Sequence, residues 1–253
     1  MTYENKYNYI VLLSLFLCSC GVNWDNIPGT GKAETINDSV KQVLKFDSGL
    51  VIDSFGEKKG KIEGLRFSFD KEAGHRIYSK YENGKRNGKE IAFYQNGKIV
   101  YTSFYRNDTT IGETYFYYDS GNLQTFEYYY PKSGQLVFQV KYNEVGNIKT
   151  VKGSPLIQYN RNKDTVKINE EYYGECEYVQ PNNYSMDVNA FEFRKDSLDI
   201  KPIKLIQTRN FWTFKEKFKK NGKVNILLKW NLKDTISGTV FNGKDIITLF
   251  VAQ

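Results

Sequence analysis

His75 is the single histidine of this chain, and it stands beside a glycine, Gly74, in what reads as a turn. A Ser-His-Asp triad or a Cys-His pair would have to run through it, and no Gly-x-Ser-x-Gly nucleophile elbow occurs. Zinc is usually held by several His or Cys side chains, and the cysteines are Cys18, Cys20 and Cys176 alone. Paired carboxylates could cleave a glycosidic bond. Glu170-Glu171 is one such pair, and Glu175 and Glu177 would share one face of a strand. On a basic, strand-rich chain these read first as solvated partners of cross-strand lysines. Pro28-Gly29-Thr30-Gly31-Lys32 approaches a phosphate-binding loop, but Ala33 stands where a hydroxyl is needed and no strand precedes it. Calcium loops of the EF-hand pattern are absent. The expectation is a non-enzymatic protein with no catalytic residue, no metal and no cofactor.

The cysteines divide by position. An apolar run over residues 10–17 is too short to span a bilayer as a helix and has the length of a signal-peptide core. Leu17-Cys18-Ser19-Cys20-Gly21 closes it. The segment resembles a bacterial lipoprotein signal peptide, in which Leu17 and Ser19 match the lipobox and Cys20 is the acylated first residue. Cys18 competes for that role, but bulky Leu17 before it fits less well than Ser19 before Cys20. An ordinary secretory signal or a buried first strand are the alternatives. The resemblance implies a signal peptide over 1–19, a lipid anchor of two or more chains, and a place in the bacterial cell envelope, facing periplasm or exterior. Cys176 is then left without an intramolecular partner and reads as a small buried apolar residue.

The chain has 253 residues, enough for one large or two small domains. Aromatics make up 16%, with 20 Tyr and 17 Phe. That richness, with alternating segments and many glycine turns, favours sheets. The net charge of +7 is spread among interspersed Lys and Glu rather than blocked. This reads as a solvated sheet surface and not as a nucleic-acid footprint.

Residues 20–45 read as a tether, being dominated by Asn, Asp, Gly and Pro. Over 46–153 the chain repeats. Gly64, Gly88 and Gly112 are spaced 24 residues apart, each followed five residues later by Phe69, Phe93 or Tyr117. The turn glycines Gly74, Gly97 and Gly121 are followed seven residues later by Tyr81, Phe104 and Tyr128. Such a period marks a repeat architecture. Asn83-Gly84, Asn87-Gly88 and Asn96-Gly97 suit tight turns that need positive φ, and Ser120-Gly121 and Ser133-Gly134 play the same part. Each unit is therefore two short strands and a turn. Aromatics one hairpin apart should stack and cover the backbone, although a Tyr-lined platform for glycan or peptide is the functional alternative.

The stretches Tyr81-Glu82-Asn83-Gly84-Lys85-Arg86-Asn87-Gly88-Lys89, Phe93-Tyr94-Gln95-Asn96-Gly97-Lys98 and Tyr117-Tyr118-Asp119-Ser120-Gly121-Asn122-Leu123 resemble MORN-type repeats, in the variant found in antitoxins of toxin–antitoxin systems. Tyr142-Asn143-Glu144-Val145-Gly146 keeps only the turn. The resemblance implies an elongated, single-layered, antiparallel sheet of successive hairpins.

Lys152-Gly153-Ser154-Pro155 breaks the pattern. Strands are predicted over 172–179, 186–194, 203–208, 211–217, 224–232, 238–241 and 246–251, with one more over 156–159 and turns at Asn221-Gly222 and Asn242-Gly243. Residues 156–253 thus read as a small, immunoglobulin-like β-sandwich with Trp212 and Trp230 in its core, separate from the repeat sheet. The functional expectation is a membrane-anchored binding or scaffold module that meets a protein or glycan partner through its repeat sheet. A carboxylate-dependent envelope hydrolase and an antitoxin-like or immunity-like inhibitor are the alternatives. Gly97→Val should cost about 1–2 kcal/mol, because a β-branched residue is strained at positive φ. An unchanged melting temperature would refute the turn at Gly97.

Overall fold

The structure, a computed structural model, describes residues 35–37, 40–161, 163–181, 184–194, 200–208, 211–235 and 237–253. Cys18, Cys20, the lipobox motif and the Pro28–Lys32 loop lie outside the described residues. All described elements are strands. The first eleven are β1 (Thr35–Asn37), β2 (Val40–Asp47), β3 (Leu50–Lys58), β4 (Lys61–Asp70), β5 (His75–Glu82), β6 (Lys85–Phe93), β7 (Ile99–Arg106), β8 (Thr109–Tyr117), β9 (Leu123–Tyr129), β10 (Leu136–Tyr142) and β11 (Ile148–Gly153). They form one antiparallel sheet in strict chain order. Pairing starts earlier than the tether boundary at residue 45 allows. β2 lies inside the expected tether because Val43 and Leu44 pair with Phe55 and Ser54 of β3.

Alternate rims of the sheet carry different turns. On one rim the β3–β4, β5–β6 and β7–β8 turns are two residues long, both at positive φ: Lys59-Gly60, Asn83-Gly84 and Asn107-Asp108; the β9–β10 turn there is wider, with Tyr130 N–H donating to Gln135 O at 2.8 Å. The two-residue geometry matches the twist of paired strands. On the other rim one wider turn recurs. Tyr94 N–H donates to Lys98 O at 2.8 Å, Tyr118 N–H to Asn122 O at 2.9 Å and Asn143 N–H to Asn147 O at 2.8 Å. Gly97, Gly121 and Gly146 occupy the positive-φ place in these three turns, at +86°, +92° and +89°. Asn87-Gly88, expected as a turn, instead lies inside β6. Gly88 is at φ +125°, where the β5–β6 register slips between Ser79 and Tyr81. Gly64 and Gly112 sit at the matching slips in β4 and β8. The 24-residue glycines are thus bulge positions, which an L side chain fits poorly.

The remaining strands are β12 (Leu156–Arg161), β13 (Thr165–Lys167), β14 (Glu171–Tyr178), β15 (Tyr184–Phe193), β16 (Ile200–Ile203), β17 (Ile206–Gln207), β18 (Phe211–Lys217), β19 (Gly222–Asp234) and β20 (Val240–Ala252). They make a four-stranded sheet, β12-β14-β18-β17, and a five-stranded sheet, β13-β20-β19-β15-β16. Buried Tyr172, Cys176, Phe214 and Phe218 of the first share a core with Val188, Ile226, Leu228 and Leu249 of the second.

The strand expected over 203–208 is broken, since β16 ends at Ile203 in one sheet and β17 starts at Ile206 in the other, and two further predicted features differ. The segments 238–241 and 246–251 are one continuous strand, and Asn242-Gly243 lies within it rather than in a turn. Gly243 is there because the Trp230 indole lies across it from β19; a Cβ would sit 2.0 Å from a ring carbon. Gly174 accommodates the Phe214 ring in the same way on the other sheet. The β19–β20 hairpin turns at Asp234 instead, whose N–H donates to Thr239 O at 2.9 Å.

The second difference is at the junction. Phe126, Phe138, Val140 and Tyr142 of the eleven-stranded sheet belong to the same buried cluster as the sandwich residues. The Tyr142 and Tyr184 rings meet at 6.3 Å. Ser154 Oγ donates to Asp245 at 2.8 Å, Trp230 Nε1 donates to the same oxygen at 3.0 Å, and Leu156 N–H donates back to Ser154. Gly153, at φ +80°, passes so close to β10 that a Cβ would lie 1.9 Å from Val137 O. The sheet and the sandwich therefore share one core, and the expected independence of the two is revised. Thermal unfolding should show one cooperative transition, checked by calorimetry. Gly153→Ala should lower stability by about 2–4 kcal/mol through strain and overpacking. Two resolved transitions in the wild type would contradict the continuous core.

Candidate functional site

The two faces of the eleven-stranded sheet have different chemistry. On one, Phe67, Tyr78, Ile91, Thr102, Tyr115, Phe126, Val140 and Val151 follow one another across paired strands. Ring pairs step along this face: Phe67–Tyr78 at 5.3 Å, Tyr78–Phe93 at 5.8 Å, Tyr115–Phe126 at 5.1 Å. Such contacts add about 0.5–1.5 kcal/mol each beyond area burial. Toward β9–β11 this face is the one the sandwich covers.

The opposite face carries a row of polar side chains. Arg66, Ser79, Glu90 and Ser103 are directly paired from β4 to β7, and Thr114, Glu127 and Gln139 continue the line through β8 to β10. Ser79, Glu90, Ser103 and Thr114 are all below 5% exposed. Buried polar groups need partners, and these have them. Ser79 Oγ donates to Glu90 at 2.6 Å, Tyr101 OH donates to the other Glu90 oxygen at 2.9 Å, and Ser103 and Thr114 hydroxyls bond at 2.8 Å. Arg66 grips Asp53 through two bonds, of 2.8 and 3.0 Å, a paired geometry that is strong as well as directional. The Asp53 carboxylate holds the Arg66 guanidinium still more firmly protonated than usual. Farther along, Gln139 and Tyr129 both donate to Glu127, each at 2.6 Å.

Tyrosines and arginines roof this row. The Arg86 guanidinium stacks 3.9 Å from the Tyr105 ring centroid, and Arg66 lies 5.8 Å from that of Tyr81. Burial, then the Glu90 carboxylate, pushes the Tyr101 hydroxyl well above its ordinary range. Tyr105 is raised for the same two reasons. The result is a roof of tyrosine rings and guanidinium groups fixed in place by the largely buried polar row beneath it.

The residues singled out from the sequence serve the scaffold of this surface. Phe93 packs edge-on to Tyr78. Tyr94 OH donates to Tyr117 O at 2.7 Å, and Tyr118 OH donates to Tyr142 O at 2.8 Å. Each turn is thereby stitched to the next, as it also is by Lys98 to Ser120 O and Asn122 to Glu144 O. Gly64, Gly88, Gly112, Gly97 and Gly121 set backbone geometry as described above. His75 opens β5 with its ring edge-on to Tyr94 at 5.3 Å. Cys176 is fully buried, and burial pushes its thiol up to about 12. Glu170 is bonded to Lys163, and Glu171 lies 3.2 Å from Lys215. Glu175 accepts from Tyr173 OH at 3.0 Å, while burial and then Glu175 raise the neighbouring Glu177 carboxyl. Among the described residues no group of three or more His, Cys, Asp or Glu is placed to hold a metal ion.

Sequence reasoning missed the polar row, though a signal existed. Arg66, Ser79, Glu90, Ser103, Thr114, Glu127 and Gln139 are separated by 13, 11, 13, 11, 13 and 12 residues. That alternation is what successive hairpins of one repeat must produce on a single face. An open groove of ≈ 660 Å³, whose lining includes Lys149, Thr150, Trp230, Phe241, Lys244 and Asp245, runs along the junction.

No family model matches the chain, and no curated protein matches it. Among solved structures a polysaccharide lyase aligns at 9% identity with a TM-score of 0.28, over 85% of this chain and 39% of that one. A likeness so slight bears on neither fold nor activity. Glu90→Leu should cost about 1–3 kcal/mol, since the Ser79 and Tyr101 hydroxyls lose their acceptor, and Glu90→Gln should cost less. Chemical denaturation of the two variants checks this; equal stability of Glu90→Leu and the wild type would remove Glu90 from the network.

Proposed function

We propose that this chain is a lipid-anchored, non-enzymatic binding module, or scaffold, of a bacterial cell envelope. Its contact surface is the polar face of the eleven-stranded sheet. The observation that carries this reading is the roof of Tyr81, Tyr101, Tyr105, Tyr129 and Arg86, held in place by the hydrogen-bonded row from Arg66 to Gln139 beneath it. A wide surface whose polar groups are already fixed suits contacts with an extended partner, because little side-chain freedom is lost on binding. Tyr and Arg are also the residues that most often anchor such contacts. The anchor rests on the Leu17–Gly21 motif and Cys20. The partner is a protein or a glycan that offers hydrogen-bonding groups and a flat face for the rings.

A carboxylate-dependent hydrolase has one observation in its favour. Glu177 lies next to Glu175 on β14 and its carboxyl is raised, first by burial and then by Glu175, as a general acid requires. It would predict turnover of an envelope glycan that vanishes in Glu177→Gln.

Both parts of the preferred reading are tested in one preparation from the native host. Cys20→Ala should move the protein from the membrane to the soluble fraction. Arg86→Ala combined with Tyr105→Ala should leave it at the membrane but abolish crosslinked partners. Unchanged membrane retention of Cys20→Ala would sink the anchor, and undiminished crosslinking by the double variant would sink the surface.

A further inference from the structure

The five-stranded sheet of the sandwich also has two unlike faces. Val224, Ile226, Leu228, Trp230 and Leu232 of β19 are buried in the core. The alternating positions of a strand point the other way, so Lys223, Asn225, Leu227, Lys229, Asn231 and Lys233 lie at outward positions, Asn225 being buried there. Across the sheet they meet outward neighbours on β15 and β20 in rows. Phe191, Leu227 and Ile246 form one row, with Pro202 of β16 beyond Phe191. Phe193 stands beside Ile200, and Lys223 beside Phe250. Ile246, Phe250 and Ile200 are 53%, 55% and 62% exposed. Between the Phe191 row and Phe250 lies one polar pair, Asn225 and Thr248, in which the Thr248 hydroxyl donates to the Asn225 amide oxygen at 2.9 Å. The apolar side chains on either side of it form a patch, not a scatter of single residues.

Charge frames the patch. At one end Lys229 and Lys244 are directly opposed across the β19–β20 pair, a placement that is unfavourable for like charges unless something negative lies over them. Lys229 also lies 5.3 Å from the Phe191 ring centroid. Lys223 marks the other end. Asp187 is the one carboxylate at a described outward position of β15, β19 and β20. Lys223 and Lys229 are six residues apart on one strand, which is about 20 Å. A single small anion cannot bridge that distance; a surface with spread negative charge can.

We propose that this outer face docks on an anionic phospholipid surface. Ile246, Phe250, Ile200 and the Phe191 row would enter the boundary between headgroups and acyl chains, while Lys223, Lys229 and Lys244 meet phosphates. The division of labour is that of an interfacial amphipathic helix, apolar residues below and cations at the rim, built on a strand pair instead. It needs no acyl chain, so it stands or falls apart from the Cys20 anchor.

The test is co-sedimentation of the full chain carrying Cys20→Ala with vesicles of phosphatidylcholine alone or mixed equally with phosphatidylglycerol. Binding should be about tenfold stronger to the mixed vesicles and should weaken with salt. Lys229→Glu/Lys244→Glu should bring it down to the phosphatidylcholine level, and Ile246→Ser/Phe250→Ser should lower it about tenfold. All four side chains lie on the outer face, and matching melting curves will show that the variants fold; Lys229→Gln/Lys244→Gln is the milder substitute if they do not. Equal sedimentation of wild type and variants would place binding elsewhere and overturn the proposal. So would a lack of preference for phosphatidylglycerol. Self-association without vesicle binding, abolished by Ile246→Ser/Phe250→Ser, would assign the face to a second copy of the chain.

Discussion

An eleven-stranded sheet that has no helix among the described residues to lie against must cover its backbone with its own side chains. Everything else in the repeat half follows from that constraint. Long flat residues lean over their cross-strand neighbours, so Ala92, in mid-sheet, reaches 0% exposure. Ala92 shares the polar face with Ser79, Glu90 and Ser103, and the small residues there are roofed by Tyr101, Tyr105 and Arg86. Under such a roof polar groups lose water, and each must find a partner within the sheet. The ladder of Ser, Thr and Glu is the outcome. The same need for coverage that excludes water from the sheet also fixes the chemistry of its exposed face.

The sandwich answers the remaining problem of coverage at one end of the sheet. β9 to β11 are the strands whose aromatic face would otherwise be bare, and they supply Phe126, Phe138, Val140 and Tyr142 to the shared core. Gly153 and the Ser154–Asp245–Trp230 contacts make the crossover a tight corner. A long strand pair, β19–β20, forms the far side of this core. Its inward aromatic, Trp230, is accommodated only because β20 has a glycine opposite.

Much of this was legible in the residues, and the limits are physical. The all-β class, the repeat period and the break after Gly153 follow from spacing alone, because a hairpin repeat imposes its period on glycines and aromatics together. Asn-Gly pairs were less informative. At Asn83-Gly84 and Asn96-Gly97 the pair makes a turn, but at Asn87-Gly88 it makes a bulge and at Asn242-Gly243 it makes room for an indole. All four look alike in sequence, and only the residue across the sheet distinguishes them. The start of pairing at β2 was hidden because its apolar residues, Val40, Val43, Leu44 and Phe46, do not alternate as a strand pattern would. The polar row was hidden for another reason: its members are ordinary surface residue types, and their kinship is visible only once the register is known.

The stitched turns have a consequence in genetic terms. Each wide turn holds the next through its own Tyr and Asn side chains, 22 to 24 residues on, and does not depend on how many turns precede it. A duplication or loss of 24 codons in this stretch adds or removes two strands, one bulge, one turn of each kind and two members of the polar row. The faces on either side keep their identity. An insertion of an odd number of residues inside a strand would instead turn the rest of that strand to the wrong face unless a bulge absorbs it. The length of the sheet is therefore a heritable variable that can change in whole steps, while the corner at Gly153 and the core beyond it stay as they are.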